Sequence, residues 1–600
     1  MAFSTLKKIG VSALALGIGS SAQKPSCKVI PGDPEWPATA SWDKLNTTVH
    51  GRLIATVPQA SVCHSSPYDN YNQTACRELR NYWDFAQAFD SSPADIASPA
   101  FQDQSCDPYT DVSTPCELGN YASYSINVTG VDDVVAGIQF ARDNDVRLVI
   151  KNTGIDFLGK STGKGALSLW THNLKSIDIL PDYKSDHYTG PAVKVGAGVI
   201  AGELHGAIAL QGYRVVGGAC ASVGIAGGYS SGGGHSPLSG LNGMAADNVL
   251  EWEVVKANGE HVIATPTNDH SDLYWAMSGG GGGVWGVVLS MTAKLHKDGE
   301  IGGARLFFNS SAVGPDTFWK SIEAWFAFLP SYVDGLGGGN TCEYMINANS
   351  FAGVSFLVPG ASTDDVNKLM QPYLTELDHL GIKYQYSSHT SPNYYVHFQT
   401  DLGPLPYGRI PADTLMHSRL FPRSVAEDPA ANKALVQVLR DTTAYKDDKF
   451  LLVCQALHIS NTDSDGSAPN NAVLPAFRNG VKGSSEGDHA LSICSVVSYW
   501  NWTIPRSEMI ERKKRLAYEI APALEAVTPG AGSYLNEIES FYRGDWKKEL
   551  YGVNYDRLLS IKDKYDPDQL FFANMGVGSD RFYIEDSGRL CHYRKDASYA

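Results

Sequence analysis

Two glycine-dense stretches, residues 151–163 (KNTGIDFLGKSTG) and 217–236 (GGACASVGIAGGYSSGGGHS), place the tightest limit on how this chain can fold. Without a Cβ, backbone can approach a ligand closely, and successive N–H groups can turn inward on one anion. Ordered segments flank both stretches. The apolar strand VRLVI (146–150) enters the first, and the strand AVKVGAGV (192–199) with a helix over 200–212 precedes the second. Glycines serving only as surface turns need not crowd around a cysteine, Cys220; the arrangement suits a diphosphate cradle. Two motif matches nearby fail on context. GGGVWG at 281–286 fits the dinucleotide fingerprint, yet a helix precedes it and a strand follows, the reverse of the requirement. GYSSG at 228–232 fits a hydrolase elbow, but the surrounding glycines deny it the strand before and the helix after.

The order of elements predicts an α+β chain. Residues 23–116 are rich in Pro, Ser, Asp and Cys and read as a Cys-rich N-terminal extension with one helix near Cys76 to Phe89. From 117 to 298 helices (131–143, 200–212, 273–277) mix with strands, including a hairpin turning at Asn258-Gly259. From 299 to 530 strands such as FLLVCQALHI and HALSICSVVSYWNW alternate with amphipathic helices at 364–380 and 507–527, which predicts an antiparallel sheet covered by helices on one face. A final segment, 531–600, carries a helix at 554–567 stopped by Pro567.

A net charge of -16 argues against a nucleic-acid partner. Lys7 and Lys8, an apolar run from Ile9 to Ile18, and Ser20-Ser21-Ala22 read as a secretory signal, residues 1–22. That run is too short for the ~30 Å of a bilayer core, so no membrane partner is expected. Secretion favours disulfides among the ten cysteines. Cys63 with Cys76, and Cys106 with Cys116, could close short loops, although spacing does not fix connectivity. Cys454 and Cys494, in apolar strand-like runs, suit a buried thiol as well as a bridge. Five sequons (Asn46, Asn72, Asn127, Asn309, Asn501) fit a glycoprotein. The histidines are scattered and no paired CxxC occurs, so no metal site is expected.

The segments YSINVTGVDDVVAGIQFARDNDVRLVIKNTG, GPAVKVGAGV, GGACASVGIAGGYSSGGGHS, DLYWAMSGGGGGVWGVVLSMT and NYDRLLSIKDKYDPDQLF, in this order, resemble the berberine bridge enzyme-like flavoproteins of fungi. The resemblance covers nearly the whole chain. It implies a p-cresol methylhydroxylase-type FAD-binding domain over 117–298, a substrate domain over 299–530 above the isoalloxazine ring, and a tail returning to the FAD domain. FAD would be held by Lys151, Asn152, Thr153, Gly154, Ile155, Asp156 and Gly159 of the first loop. The second loop would add Cys220, Ser222, Val223, Gly224, Gly227, Gly228, Gly234 and His235, and the tail Asn536. Many relatives attach the flavin through a histidine and a cysteine. Cys220 matches the cysteine, but Ile155 stands where the histidine would be, leaving linkage through Cys220 alone or no covalent bond.

Tyr534-Leu535-Asn536 matches the family's Y-x-N motif, which makes Tyr534 the candidate base and Glu537 a weaker one. A phenol, with an ordinary pKa near ~10, needs its anion stabilised for that duty. The implied protein is a secreted, monomeric FAD-dependent oxidase, acting with dioxygen on an alcohol or activated C–H of a small organic, secondary-metabolite substrate. A flavoprotein scaffold for a non-redox cyclisation and an oligosaccharide oxidase are the alternatives.

Overall fold

The computed structural model describes residues 27–408, 411, 413–445, 447–461, 467–478 and 489–593. The expected signal, residues 1–22, lies outside them, and among them no helix is long and apolar enough to cross a membrane. Three sheets make the frame. In the first, strands Tyr124–Asn127 and Leu148–Lys151 run parallel to Leu167–Trp170 on either side of it, and Leu53–Ala55 adds an antiparallel edge. The helix Val131–Asp143 lays Val134, Ile138 and Ala141 on that sheet, the one-face spacing its sequence predicts. The segment before residue 117 thus donates a strand to this sheet.

A five-stranded antiparallel sheet follows, in the order Ile177–Lys184, Thr189–Gly196, Val287–Lys294, Val249–Val255, His261–Ala264. Its last two strands turn at Asn258-Gly259, where Gly259 adopts φ +84° as the hairpin requires. The third sheet has seven strands, all antiparallel, from Tyr384–Ser391 at one edge to Thr414–Pro422 at the other. Helices Gly314–Asp334, Thr363–His379, Pro429–Thr443 and Ala521–Val527 cover one face around a fully buried Trp325. Period-two alternation decides what the other face carries. In Thr341–Ile346, Cys342, Tyr344 and Ile346 join the helical core, while Glu343 and Met345 look the other way.

Four disulfides tie the described residues: Cys63–Cys76, Cys106–Cys116, Cys454–Cys494 and Cys27–Cys591. Cys454 and Cys494 stand directly opposite on neighbouring strands, which settles them as a bridge. Cys220 and Cys342 remain free. The single helix expected from Cys76 to Phe89 is two, Gln73–Arg80 and Gln87–Asp90. The chain breaks between them so that Trp83 can bury completely against Phe89.

Asp247, after the second glycine stretch, ties the chain there to Asn461, Asn471 and Arg478 beside the seven-stranded sheet. Its carboxylate takes a forked pair from Arg478 at 2.8 and 3.2 Å, and further donors from Asn471, Asn461 and the Met244 amide. Burial alone would raise this carboxyl, but Arg478 and its companions hold it below the usual range. Such a group stabilises the fold above the ordinary Asp pKa and loses that contribution as pH falls. Replacing Arg478 with Met strands a buried charge and should cost about 3–5 kcal/mol at pH 7 in urea unfolding. The deficit should shrink as pH falls, because the stranded Asp247 carboxyl, still buried but without Arg478, takes up a proton above the ordinary Asp range.

Candidate active site

Between the glycine stretches and the uncovered face of the seven-stranded sheet lies a cavity of about 1320 Å³. One wall comes from the loop after strand Leu148–Lys151: Asn152, Thr153, Gly154, Ile155 and Asp156 all reach it. Gly154 turns with φ +77°. Asn152 gives its Nδ2 to the Ala197 carbonyl at 2.6 Å and leaves its buried Oδ1 without a partner. Cys220, Val223, Gly224, Gly227, Gly228 and His235 of the second stretch continue the wall. A Cβ on Gly224 would sit 2.2 Å from Asn152 Nδ2, so the two loops meet only because that side chain is missing. At Gly228 a Cβ would meet nothing within 4 Å and would project into open space. A glycine-walled slot with an orphaned amide oxygen fits a dinucleotide such as FAD.

Four residues expected to touch FAD do not reach the cavity. Lys151 turns inward, fully buried, and donates to the carbonyls of Phe89 (3.0 Å) and Ser92 (2.6 Å). Desolvation lowers its ammonium to about 7 against the opposing pull of Asp95 and Asp90, and its two backbone acceptors give it a structural role. Gly159 backs onto the ring of Phe101, and Gly234 onto Ala245 and Tyr229. Ser222 is buried behind Cys220, 3.5 Å from its sulfur. Asp156 lines the slot, but its carboxylate is spent on its own loop, accepting from the Leu158 and Ser161 amides. Ser230 and Ser231 donate to backbone carbonyls at 2.7 and 2.8 Å, which rules out the elbow nucleophile.

The tail brings Tyr534, Asn536 and Glu537 to the same space. Asn536 Nδ2 donates to the Gly228 carbonyl (3.0 Å) and to the Tyr534 hydroxyl (2.9 Å), pinning the tail to the glycine wall. His235 packs edge-on against the Tyr534 ring, 5.1 Å away. It donates from Nε2 to Glu537 (3.0 Å) and from Nδ1 to Gln455 Oε1 (2.8 Å). Gln455 in turn gives Nε2 to Glu343 at 2.7 Å, and Ser495 donates to the second oxygen of Glu537.

Two carboxylates therefore flank one imidazole. Burial opposes a charge on His235, but Glu537 and Glu343 outweigh it and lift the imidazole to about 9. Glu537 is correspondingly held below the usual range despite its burial. Glu343 is pushed up to about 7 by desolvation, which the His235 charge only partly offsets. Burial and the Glu537 charge push the Tyr534 phenol well above its ordinary value, so it stays protonated and acts as a donor. Burial, then Glu537, also raises the Cys220 thiol. Glu343, Gln455 and Ser495 were not among the expected site residues. The available signal was a polar residue in each of three apolar strands, TCEYMI, LLVCQA and ALSICSVVSY.

Comparison with known proteins agrees with this geometry. The FAD binding domain family matches residues 122–265, and the berberine and berberine like family matches 533–578, the segment with Tyr534 and Asn536. The chain is 49% identical over 586 residues to the bifunctional decalin synthase calF of Penicillium decumbens, covering 98% of this chain and 99% of that protein. It is 46% identical over 593 residues to the VAO-type flavoprotein oxidase VAO615 of Thermothelomyces thermophilus, covering 98% and 100%. The crystal structure of VAO-type flavoprotein MtVAO615 at pH 5.0, from Myceliophthora thermophila C1, superposes with a TM-score of 0.89 over 95% of this chain and 100% of that one. With its glycine-walled slot and its Y-x-N tail closing on one cavity, the chain belongs to the berberine bridge enzyme-like, VAO-type FAD-linked oxidoreductases.

Proposed function

We propose that the protein oxidises an alcohol or an activated C–H group of a small, largely apolar organic molecule, with Glu343 rather than Tyr534 as the base. The carrying observation is the Glu343 carboxyl on the sheet face of the cavity, opposite the glycine wall and held by Gln455 at 2.7 Å, where burial pushes it up to about 7. FAD, when bound, supplies the hydride acceptor, and dioxygen regenerates it. The chain's own residues handle the proton. Glu343 Oε1 is oriented by Gln455, and its other oxygen is free to take a proton from substrate. A base with a pKa near the working pH balances the ionised fraction against proton affinity. His235, charged and held by Glu537, offsets the negative charge this leaves. Tyr534 accepts from Asn536 and keeps its own proton to donate to a substrate oxygen. Met345, Val453 and Val497 on the sheet face favour an apolar substrate over an oligosaccharide.

FAD is held here without a covalent bond. Ile155 offers no nucleophile, and the Cys220 thiol is kept protonated by burial and by Glu537. Four disulfides suit an oxidising compartment, in keeping with a secreted monomer. The relative named decalin synthase supports a second reading, in which the same apolar cavity shapes a cyclisation. Release of hydrogen peroxide during turnover separates the two, since cyclisation yields none.

Glu343→Gln should lower kcat/KM by about 10²–10⁴-fold. The wild-type profile should rise with pH through about 7 as Glu343 ionises, and fall through about 9 as His235 loses its proton. Tyr534→Phe should cost about tenfold and keep the lower inflection; loss of that inflection in Tyr534→Phe alone would return the base to Tyr534. On acid precipitation the yellow colour should move to the supernatant. A flavin mass on the Cys220 peptide would show the linkage instead.

A further inference from the structure

We propose that His389, His397 and Asp401 form a divalent transition-metal site, suited to Zn2+, at the outer edge of the seven-stranded sheet. His389 lies on the edge strand Tyr384–Ser391, directly opposite Gly303 of the strand Ile301–Asn309. His397 and Asp401 lie one turn apart on the helix Tyr394–Asp401, so both side chains leave the same face. Nε2 of each histidine is 3.7 Å from the same oxygen, Asp401 Oδ2, and the three donor atoms lie within 4.8 Å of one another.

At 3.7 Å neither imidazole hydrogen-bonds to that carboxylate, for which about 2.7–3.2 Å is needed. The His389 Nε2 is buried with no partner at all. His397 is 0% exposed, with Nδ1 unpartnered and only the Ser355 hydroxyl, at 3.3 Å, near its Nε2. His397, fully buried, and His389, partly exposed but with its Nε2 buried, converge on one oxygen without bonding to it, and His389 Nε2 is left unsatisfied, a cost that close packing alone does not recover. A tetrahedral Zn2+ with bonds of about 2.0–2.1 Å places neighbouring ligand atoms about 3.3 Å apart, so each histidine need approach Asp401 Oδ2 by only a few tenths of an ångström, and the two imidazoles, within 4.8 Å of one another, close by side-chain rotation. Ser355 Oγ, 3.4 Å from Asp401 Oδ2, borders the fourth position.

Two further features belong to a built site. Arg305 Nε donates to the other carboxylate oxygen, Oδ1, at 3.0 Å, which orients Asp401 and leaves Oδ2 for the ion. A Cβ on Gly303 would lie 2.5 Å from the His389 ring and 3.1 Å from that of His397, so glycine is what lets the two rings converge. Two imidazole nitrogens and one carboxylate oxygen make a donor set suited to Zn2+ and unsuited to Ca2+ or Mg2+. Two strands separate this edge from the strand bearing Glu343, roughly 14 Å at strand spacing. The ion would clip the edge strand to the helix at the end of the cavity that Arg305 and Asp401 line, away from Glu343.

The test titrates Co2+ into the full-length holoenzyme after chelator treatment, reading the visible d–d bands, with Zn2+ as competitor and thermal unfolding in parallel. One Co2+ per chain should bind, Zn2+ should displace it, and Zn2+ should raise the Tm. His389→Ala, a partly exposed position, should keep the metal-free Tm and lose both effects. Arg305→Met should weaken Co2+ binding by about 10–100-fold. Absence of the bands and of the Zn2+ shift in the wild type overturns the site, and so does either effect surviving unchanged in His389→Ala.

Discussion

Holding a slot open against close packing is the constraint on which the rest of this structure depends. Protein interiors close to crystalline density, and an unfilled gap forfeits the contacts its walls would otherwise make. Here one wall is thinned by removing side chains, with Gly224 touching Asn152 and Gly228 facing open space. The opposite wall is a sheet whose other face is anchored on four helices and Trp325. Neither wall can move inward independently. The Asp247–Arg478 pair fixes the chain after the glycine stretch to residues beside the seven-stranded sheet, and Lys562 clamps the tail by donating to the Val284 and Phe571 carbonyls. The frame spends buried charge on rigidity, which apolar contacts do not direct as sharply.

The same dryness organises the chemistry. Away from water a single cation governs every neighbouring group, because little screens it. His235 makes Glu537 a firm carboxylate, while Glu343, one amide further away, stays near the point of proton exchange. Burial, with the Glu537 charge added to it, explains why a phenol and a thiol in the same cavity remain protonated.

The glycine loops, the hairpin at Asn258-Gly259, the helix-covered sheet and the Y-x-N segment were legible because each is a local pattern in which residue type dictates backbone. Motif position also brought Cys220, His235, Tyr534 and Asn536 to one cavity. Partnership was not legible. Glu343 and Gln455 reach His235 through strand register, a long-range property that no window of sequence contains. The bridge between Cys454 and Cys494 is the same kind of fact. Lys151 misled for a different reason: a lysine beside a glycine loop reads as a phosphate ligand, and only the burial of residues 89–95 against it turns its charge inward. The break in the helix expected before Phe89 follows from the burial of Trp83, another tertiary demand.

The disulfide between Cys27 and Cys591 spans a sequence separation of 564 residues. It can form only after the chain has been synthesised as far as Cys591 and the tail that follows Tyr534, Asn536 and Lys562 has been led back to Cys27. Closure of the ring is thus a signature of completed assembly. A chain stopped short of Cys591 keeps a free thiol at Cys27, so one thiol reports on the far end of the sequence without any reference to the active site.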